Sequence, residues 1–208
     1  MQSKPLIQKQ SWKPGNMLFP VPAVLVSCGG GKWKPNLITI AWAGTVCTNP
    51  PMLSISVRPE RHSYDIIKQT GEFVVNLPTV KQTKATDWCG VVSGRDHDKF
   101  EKTGLTPAPG LKTGCPVVLE CPVNIECRVV QTLELGSHVL FIAEVVAVQV
   151  SENLIDAKGK LRLDKAGLIA YVHGAYFTLG SYLGHFGFSV RKKKPAAKKS
   201  ASSAPSPY

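Results

Sequence analysis

Two long runs of strand-forming residues, 117–135 and 138–151, are separated only by Gly136 and Ser137. So short a connection with a glycine joins antiparallel neighbours in a tight hairpin. Pro122 lies within the first run and lacks the N–H that a central strand donates, which indicates an edge or a bulge there. The pattern therefore predicts long antiparallel strands that bend, as the strands of a β-barrel do.

Shorter segments on either side repeat the preference for β-structure. The sequence predicts strands over residues 19–28, 37–42, 53–57 and 73–77, and a closing strand in the Tyr-, Phe- and Gly-rich end of the fold. A helix is predicted between Ser63, as its opening residue, and Gly71, as its stop, and a second helix over residues 81–91. The expected fold is mostly β with flanking helices, an antiparallel β-barrel.

Length and composition predict one domain. The 208 residues are 43% hydrophobic and 19% charged, as in an ordinary globular protein. We expect an N-terminal arm over residues 1–15, the folded domain over 16–190 and a basic tail over 191–208. The tail holds six of the 25 Lys and Arg residues and none of the 14 acidic residues, so it carries more than half of the net charge of +11. Its Lys, Ala, Ser and Pro predict disorder, and the alternative is an arm that binds polyanions.

Targeting and metal-binding signals are weak. The first residues lack the apolar segment of a secretory signal, and the longest apolar stretch, 139–150, is far shorter than the roughly 20 residues of a membrane helix. We therefore expect a cytoplasmic protein with no membrane association. The six cysteines form no C-x-x-C pair and the five histidines show no helical pairing, so no metal site is predicted and a reducing compartment fits.

The stretch RPERHSY, residues 58–64, is a candidate anion site. It places Arg58, Arg61, His62 and Ser63 at the start of a predicted helix, where N–H groups and the helix dipole favour a phosphate. The alternative is that Ser63 only caps the helix and the arginines are solvated. The glycine-rich GGGKWKPN is not a G-x-G-x-x-G motif and no helix follows it, so a dinucleotide-binding βαβ unit is not expected.

The strand from residue 37 runs into three small residues, Ala41, Ala43 and Gly44. Asn36 precedes this strand, and Trp42 lies among the small residues. Small residues let a flat ligand lie close against the backbone. These residues and RPERHSY together suit a flat, anionic ligand.

Six segments in order resemble the flavin reductase-like family, which includes the flavoredoxins. They are NLITIAW, TNPPMLSISVRPERHSYDII, GEFVVNLP, HDKF, GSHVLFIAEV and HGAYFTLG, and the likeness runs from about residue 17 to residue 183. The resemblance implies an FMN-binding split β-barrel, usually a homodimer with the cofactor near the subunit interface.

The resemblance also implies roles for individual residues. Asn36 would hydrogen-bond the flavin, the backbone around Ile38 to Gly44 would line its ring, and His138 would lie close to the ring. The phosphate end would be met by Arg58, His62, Ser63 and Lys99, and late aromatic residues would form a wall. The full set of implied cofactor-binding residues is Asn36, Leu37, Ile38, Thr39, Ala41, Trp42, Ala43, Gly44, Val57, Arg58, His62, Ser63, Lys99, His138, Tyr171, Tyr176 and Phe177.

His138 is the one candidate catalytic residue. Many relatives carry an acidic residue before this histidine, whereas here Ser137 precedes it. Without that acid, one group that could stabilise the protonated imidazole is missing, so a role as proton donor is open to question. The alternatives are contact with the flavin or nicotinamide, and a packing role.

Three functions are compatible with these residues. The first is an oxidoreductase that passes electrons from NAD(P)H through FMN to a second acceptor. The second is a flavoredoxin-type carrier that holds FMN tightly and is reduced by a protein partner, for which the basic charge would favour an acidic protein. The third is a flavin-free module that binds nucleic acid through its tail, which these residues favour least.

Overall fold

The computed structural model describes residues 7–191. Its strands are β1 (Val21–Pro22), β2 (Val24–Gly30), β3 (Trp33–Ile40), β4 (Ala43–Cys47), β5 (Met52–Val57), β6 (Glu72–Leu77), β7 (Pro107–Pro109), β8 (Pro116–Val118), β9 (Val123–Glu134), β10 (Val139–Val150), β11 (Ile169–Val172) and β12 (Ala175–Thr178). Its helices are α1 (His62–Thr70), α2 (Thr83–Val91) and α3 (Lys99–Thr103), with four short 3-10 turns at Val80–Gln82, Glu152–Leu154, Leu163–Lys165 and Phe188–Val190.

The main sheet has seven strands in the order β3-β2-β6-β9-β10-β5-β4, and every neighbouring pair is antiparallel. Its two edge strands, β3 and β4, are joined by Ala41 and Trp42 alone. A connection of two residues spans at most about 11 Å, so the sheet must curl until its edges approach each other. No ladder pairs β3 with β4 within residues 7–191, and the curved sheet is an open barrel. The prediction of a mostly β, antiparallel architecture is confirmed.

The core has an inner and an outer layer because successive strand residues face opposite sides of the sheet. Alternate residues of the curved sheet, such as Val26, Ile38 and Phe141, form the inner cluster with Ile66 and Ile67 of α1. The outer cluster lies beneath α2 and α3, and contains Leu25, Leu37, Cys89, Phe100, Leu105, Val118 and Cys121. β3 therefore presents one side to each layer, which fixes both of its faces.

Helix α1 ends as predicted and begins differently. Gly71 takes the left-handed conformation, with φ of 68°, and donates its N–H to the Ile67 carbonyl. The expectation that Ser63 opens the helix is wrong, because the N-cap residue is Arg61, and no side chain caps the helix. Ser63 lies inside the first turn and is buried, so its hydroxyl is available to another partner.

Three further expectations need correction. The predicted strand over residues 117–135 is two strands, β8 and β9, and Pro122 lies between them and not within a strand. The single closing strand is a hairpin, β11–β12, that pairs with β1 in a separate sheet. Helix α3 was not predicted; Asp98 caps it by accepting the Glu101 N–H at 3.1 Å. The ladder of the long hairpin has two register shifts, which leave Val130 of β9 and Val146 of β10 without a partner. Such irregularities bend a strand and increase its twist.

The predicted helix over residues 81–91 is confirmed. It is α2, which follows the 3-10 turn Val80–Gln82. All six cysteines are free. No helix within residues 7–191 is long and apolar enough to cross a membrane. The predicted basic tail falls, apart from Arg191, outside the described residues.

Candidate functional site

A groove runs along the edge strand β3, where this strand meets the start of α1 and the end of α2. It contains two adjoining cavities of about 160 Å³ each. We call the first the cationic cavity, whose polar lining includes Asn36, Arg61, His62, Ser63, Arg95 and Lys99. We call the second the strand cavity; it is lined by residues 38–42, 56–58, Arg61 and His138. Ile38 and Arg61 line both cavities, so the two are continuous.

Lys99 is a buried cation in the wall of the cationic cavity. Its side chain belongs to the first residue of α3, which is only 3% exposed, and Nζ donates a hydrogen bond to the Cys89 carbonyl oxygen at 2.7 Å. Within residues 7–191, no carboxylate lies within 4.0 Å of Nζ. Burial lowers the pKa of Lys99, since desolvation disfavours the charged form. A buried ammonium without a counterion is stabilised when an anion enters its cavity.

Asn36 and Ser63 form a buried polar pair opposite Lys99. Asn36 Nδ2 donates to Ser63 Oγ at 2.8 Å, which ties the start of β3 to the first turn of α1. The N–H groups of a helix's first turn have no partner within the helix. Because the buried Lys99 shares the cavity, the start of α1 and this cation together suit an anion.

Gly94 lines the cationic cavity and lies directly against the Asn36 side chain. A Cβ atom added at Gly94 would lie 2.1 Å from Asn36 Oδ1, far inside any real contact distance. Only glycine therefore allows the loop after α2 to approach Asn36 so closely.

The arginines around the groove differ in how firmly they are held. Arg95 Nη1 donates to the Glu60 carbonyl oxygen at 2.9 Å, and Nη2 lies 3.5 Å from Asp65 Oδ2. Arg58 is exposed and reaches Glu60 at 3.4 Å. Burial, followed by the charge of Arg95, lowers the pKa of His62, so its imidazole is mainly neutral near pH 7.

The strand cavity has an aromatic and an imidazole wall. Trp42 and His138 both line it, and the Trp42 carbonyl oxygen accepts the Ser56 N–H at 2.9 Å, which links the end of β3 to β5. His138 Nδ1 lies 2.9 Å from Ser137 Oγ. Burial, and then the charge of Arg58, lowers the pKa of His138 against the opposite effect of Glu60, so a neutral ring is favoured near pH 7.

The side chains of two predicted residues on β3 point away from the groove. Leu37 packs in the outer cluster, and Thr39 Oγ1 donates to the Thr86 carbonyl oxygen of α2. Leu37 lines neither cavity, whereas Thr39 belongs to the lining of the strand cavity. Val57 lines the strand cavity, Ala41 and Ala43 are half-buried, and Gly44 is exposed.

The late aromatic residues lie beyond the two cavities. The Tyr171 ring is 6.2 Å from the Phe19 ring, which is itself 6.2 Å from Trp42, and the three residues line a further groove. Tyr176 donates from its hydroxyl to Asp87 Oδ1 at 3.2 Å; burial and then this carboxylate raise its pKa to about 12. Phe177 follows Tyr176 in β12, so it faces the other side of the strand, and it is 52% exposed.

The structure adds residues that sequence reasoning left out. Arg61, Gly94 and Arg95 all line the cationic cavity, although none was among the predicted cofactor-binding residues. Arg61 was named in the candidate anion site RPERHSY, although the family likeness did not add it to the cofactor-binding set. Gly94 and Arg95 follow α2 in a loop without a recognisable motif, and only the fold brings them to Asn36.

Taken together, the groove can bind an elongated ligand with an anion at one end and a flat group at the other. The anion end is the cationic cavity, with Lys99 and the first turn of α1. The flat end is the strand cavity, where the β3 backbone, Trp42 and His138 meet.

Comparison with known proteins shows which family the chain resembles. Residues 16–180 match the model of the flavin reductase like domain. The flavoredoxin of Desulfovibrio vulgaris (Miyazaki F) is 29% identical, with a TM-score of 0.82 over 88% of this chain and 100% of that chain. The flavoredoxin of Methanosarcina acetivorans is 32% identical, with a TM-score of 0.76 and the same two coverages.

A relative with a named activity is more distant. The chain is 27% identical over 107 residues to a ferric-chelate reductase (NAD(P)H) of Archaeoglobus fulgidus, which is 51% of this chain and 62% of that protein. The family match spans most of the chain, and the open barrel has the architecture of the solved flavoredoxins. The chain therefore belongs to the flavin reductase-like family and has its split-barrel fold.

Proposed function

We propose that this protein binds FMN in the groove along β3 and transfers electrons from NAD(P)H through it to a second acceptor. The observation that carries the proposal is Lys99, a buried cation without a carboxylate partner in the described residues, facing a cavity that continues along a flat backbone surface. FMN combines a phosphate dianion with a flat ring, so both ends of the groove suit it.

The residues present fit this cofactor. Lys99, Ser63 and the first turn of α1 would hold the phosphate, with Arg61 beside them. The backbone of β3 and of residues 41–44, with Trp42 and His138, would hold the ring. Bound FMN supplies the redox chemistry, accepting a hydride and returning electrons to an acceptor.

The chain's own side chains would orient the cofactor, shield its ring and offset its phosphate charge. Lys99 would offset the phosphate charge from a buried position, where charge-assisted hydrogen bonds are strong. Trp42 covers apolar surface beside the strand cavity. His138, with a lowered pKa, offers a neutral imidazole whose Nε2 can accept or hold a proton, and we propose it as a contact for flavin or nicotinamide.

The nicotinamide cannot use a dinucleotide-binding βαβ unit, since all strand pairs in the described residues are antiparallel. It would approach instead through the open groove next to the strand cavity, which is lined by residues 15–18, Trp42, Ser56, Leu135 and His138. That groove has a volume of about 530 Å³ and adjoins the proposed ring position.

A second candidate is a flavoredoxin-type carrier that keeps FMN and takes electrons from a protein. The high structural similarity to two flavoredoxins favours it. Exposed arginines at the groove, Arg58 and Arg61, would attract an acidic partner, an effect that salt weakens. The homodimer implied by the family likeness, and the cytoplasmic location expected from the sequence, stay predictions.

Anaerobic addition of NADH or NADPH to the FMN complex tests the proposal. We expect the visible absorbance of the bound flavin to bleach rapidly with at least one of them. The same protein without added nucleotide is the control. If neither nucleotide bleaches the flavin, and FMN stays bound through gel filtration, the carrier replaces the reductase. A protein that binds no FMN at all contradicts both.

A further inference from the structure

An open groove begins at Trp42, on the side of the β11–β12 hairpin. It has a volume of about 480 Å³, and we call it the aromatic groove; it is lined by residues 12–17, Phe19, Trp42, Tyr171, His173 and Gly174. Trp42 also lines the strand cavity, and residues 15–17 also line the groove proposed for the nicotinamide. The aromatic groove therefore adjoins the proposed ring position.

The walls of the aromatic groove suit a flat ring. The centroid of the Phe19 ring lies 6.2 Å from that of Trp42, 6.2 Å from that of Tyr171 and 5.8 Å from that of His173. The Trp12 side chain, which is 73% exposed, adds a further indole to the lining. Aromatic side chains meet a flat ring by offset stacking or edge to face, and such contacts are favourable beyond the area they bury.

His173 enters the aromatic groove from an unfavourable backbone conformation. With Gly174 it forms the two-residue connection of β11 and β12, and the two residues have φ of 37° and 96°. Such a hairpin turn favours Asn-Gly or Asp-Gly. Within residues 7–191, His173 is the one residue other than glycine with a positive φ. Histidine at a position that asparagine fits better indicates that the imidazole serves something other than stability.

The polar side chains of the aromatic groove can donate hydrogen bonds. Neither ring nitrogen of His173 has a hydrogen-bond partner within residues 7–191, and an imidazole carries at least one N–H in either protonation state. Lys13 is charged, and none of the described residues in the lining is acidic. A ligand in this groove therefore gains from oxygen acceptors, and it gains more as negative charge develops on them.

We propose that the aromatic groove binds a quinone as the second electron acceptor, and that His173 selects it by donating to one of its carbonyl oxygens. The proposal rests on the proposed function, because the electrons reach the quinone from FMN. A quinone combines a flat ring with two carbonyl oxygens that gain electron density on reduction. In the overall reaction NAD(P)H supplies a hydride, which is two electrons and one proton, and solvent supplies the second proton. Both carbonyl oxygens become hydroxyls, and NAD(P)⁺ and a hydroquinone are released.

Isothermal titration of duroquinone into the oxidised FMN complex tests the binding site. The ring carbons of duroquinone are fully substituted, so it does not add to the free cysteines, and no electrons move while the flavin is oxidised. His173→Asn should weaken duroquinone binding about fivefold, by the loss of one hydrogen bond, and Trp12→Leu about threefold to tenfold. Because asparagine suits the turn, His173→Asn should not lower the melting temperature, and FMN affinity should stay within about twofold of the parent.

Reoxidation of the reduced FMN complex tests the redox step. Stoichiometric dithionite reduces the bound flavin under anaerobic conditions, so the result does not depend on NAD(P)H, and the complex is then mixed with duroquinone or with ferricyanide, which has no flat ring. Both variants should slow reoxidation by low concentrations of duroquinone by the same factors as they weaken its binding, and leave reoxidation by ferricyanide unchanged. His185→Asn and Tyr182→Leu, matched changes at exposed residues outside the groove, should alter neither rate.

The proposal is overturned if duroquinone does not bind the oxidised complex, or if both variants leave its affinity and its rate of reoxidation within about twofold of the parent. It is also overturned if His173→Asn weakens FMN binding as much as duroquinone binding, because His173 would then belong to the cofactor site. Failure of NADH and NADPH to bleach the flavin would contradict the proposed electron donor alone. Failure of FMN to bind would overturn the proposed function, and this inference with it.

Discussion

The side chain of Lys99 is costly to the fold unless something else compensates it. A cation that is 3% exposed, with one carbonyl contact and no carboxylate near it in the described residues, makes folding less favourable than an apolar group of similar length would. Such a residue indicates that ligand binding, and not stability, accounts for its presence.

Replacing Lys99 by Met should therefore have opposite effects on stability and on binding. We expect Lys99→Met to raise the unfolding free energy of the flavin-free protein by about 1 kcal/mol or more. We expect FMN affinity to fall about 10- to 100-fold, because a hydrogen bond to a charged group contributes about 1.5–3 kcal/mol. Chemical denaturation and isothermal titration measure the two quantities.

The control is Lys102→Met, three residues along the same helix, where the side chain is exposed and lies 3.9 Å from Glu101. It should change neither the unfolding free energy nor the FMN affinity much.

The pH dependence of stability has a defined sign as well. Since the pKa of Lys99 is lowered on folding, the unfolded state binds more protons between the lowered pKa and the ordinary value of 10.5, and stability of the flavin-free protein rises with pH there. Loss of stability in Lys99→Met would contradict this account.

At the scale of single residues, the sequence identified some of the side chains that line the groove and missed others. Ser63, His62 and Lys99 were implied by the family likeness, and the structure brings them to one cavity. Asn36 was implied to hydrogen-bond the flavin; it donates to Ser63 in the cationic cavity, and its contact with the cofactor stays a prediction. Gly94 and Arg95 could not be predicted, because a loop's approach to a distant strand leaves no local pattern.

At the scale of elements, Glu126 fixes a loop to the long hairpin. This fully buried carboxylate of β9 accepts the N–H groups of Leu111, Lys112 and Thr113 at 2.7–2.9 Å. Burial opposes its ionisation, yet the backbone donors prevail and the pKa of Glu126 is lowered. Two further side chains contact the loop between β7 and β8: Glu72 accepts the Gly114 N–H at 2.8 Å, and Arg128 Nη2 donates to the Lys112 carbonyl oxygen at 3.2 Å.

Glu126→Gln should destabilise the protein by about 2 kcal/mol. The amide has an NH₂ group in place of one accepting oxygen, so one set of backbone N–H groups would face a donor and lose its acceptor. The contribution of Glu126 should be present above the ordinary carboxyl pKa and be lost as pH falls through its lowered folded value. The difference in unfolding free energy between the two proteins, measured at pH 7 and at acid pH, checks this. Glu134→Gln, an exposed change at the end of β9, is the control. Equal stability of Glu126→Gln and the parent protein would contradict the role of Glu126.

The sequence predicted these elements unevenly, for physical reasons. Alternation and the Gly136-Ser137 connection were sufficient for the hairpin, because both are local. The break at residues 119–122 was predicted only as an irregularity at Pro122, because Leu119 and Cys121 continue the apolar alternation across it. Helix α3 was missed because its five residues are too few for a helical period.

At the scale of the whole molecule, the curl of the sheet creates the site. Edge strands β3 and β4 lie far apart in the sheet order, and their two-residue connection forces the edges together beside α1. The barrel was predicted from the strand patterns and the family likeness together. The position of the groove was not, because it depends on the approach of the two edge strands in the folded sheet. The anion end and the flat end are properties of the folded chain, and neither can form from β3 alone.

Affinities for FMN and riboflavin, measured side by side by isothermal titration, test the central claim most directly. The two ligands share the ring and differ in the phosphate, so the comparison isolates the cationic cavity. We predict that riboflavin binds at least about 100-fold more weakly, from two or more charge-assisted hydrogen bonds, and that Ser63→Ala narrows the difference. Equal affinities for the two ligands, unchanged in Ser63→Ala, would contradict the assignment of Lys99 and the start of α1 to the phosphate.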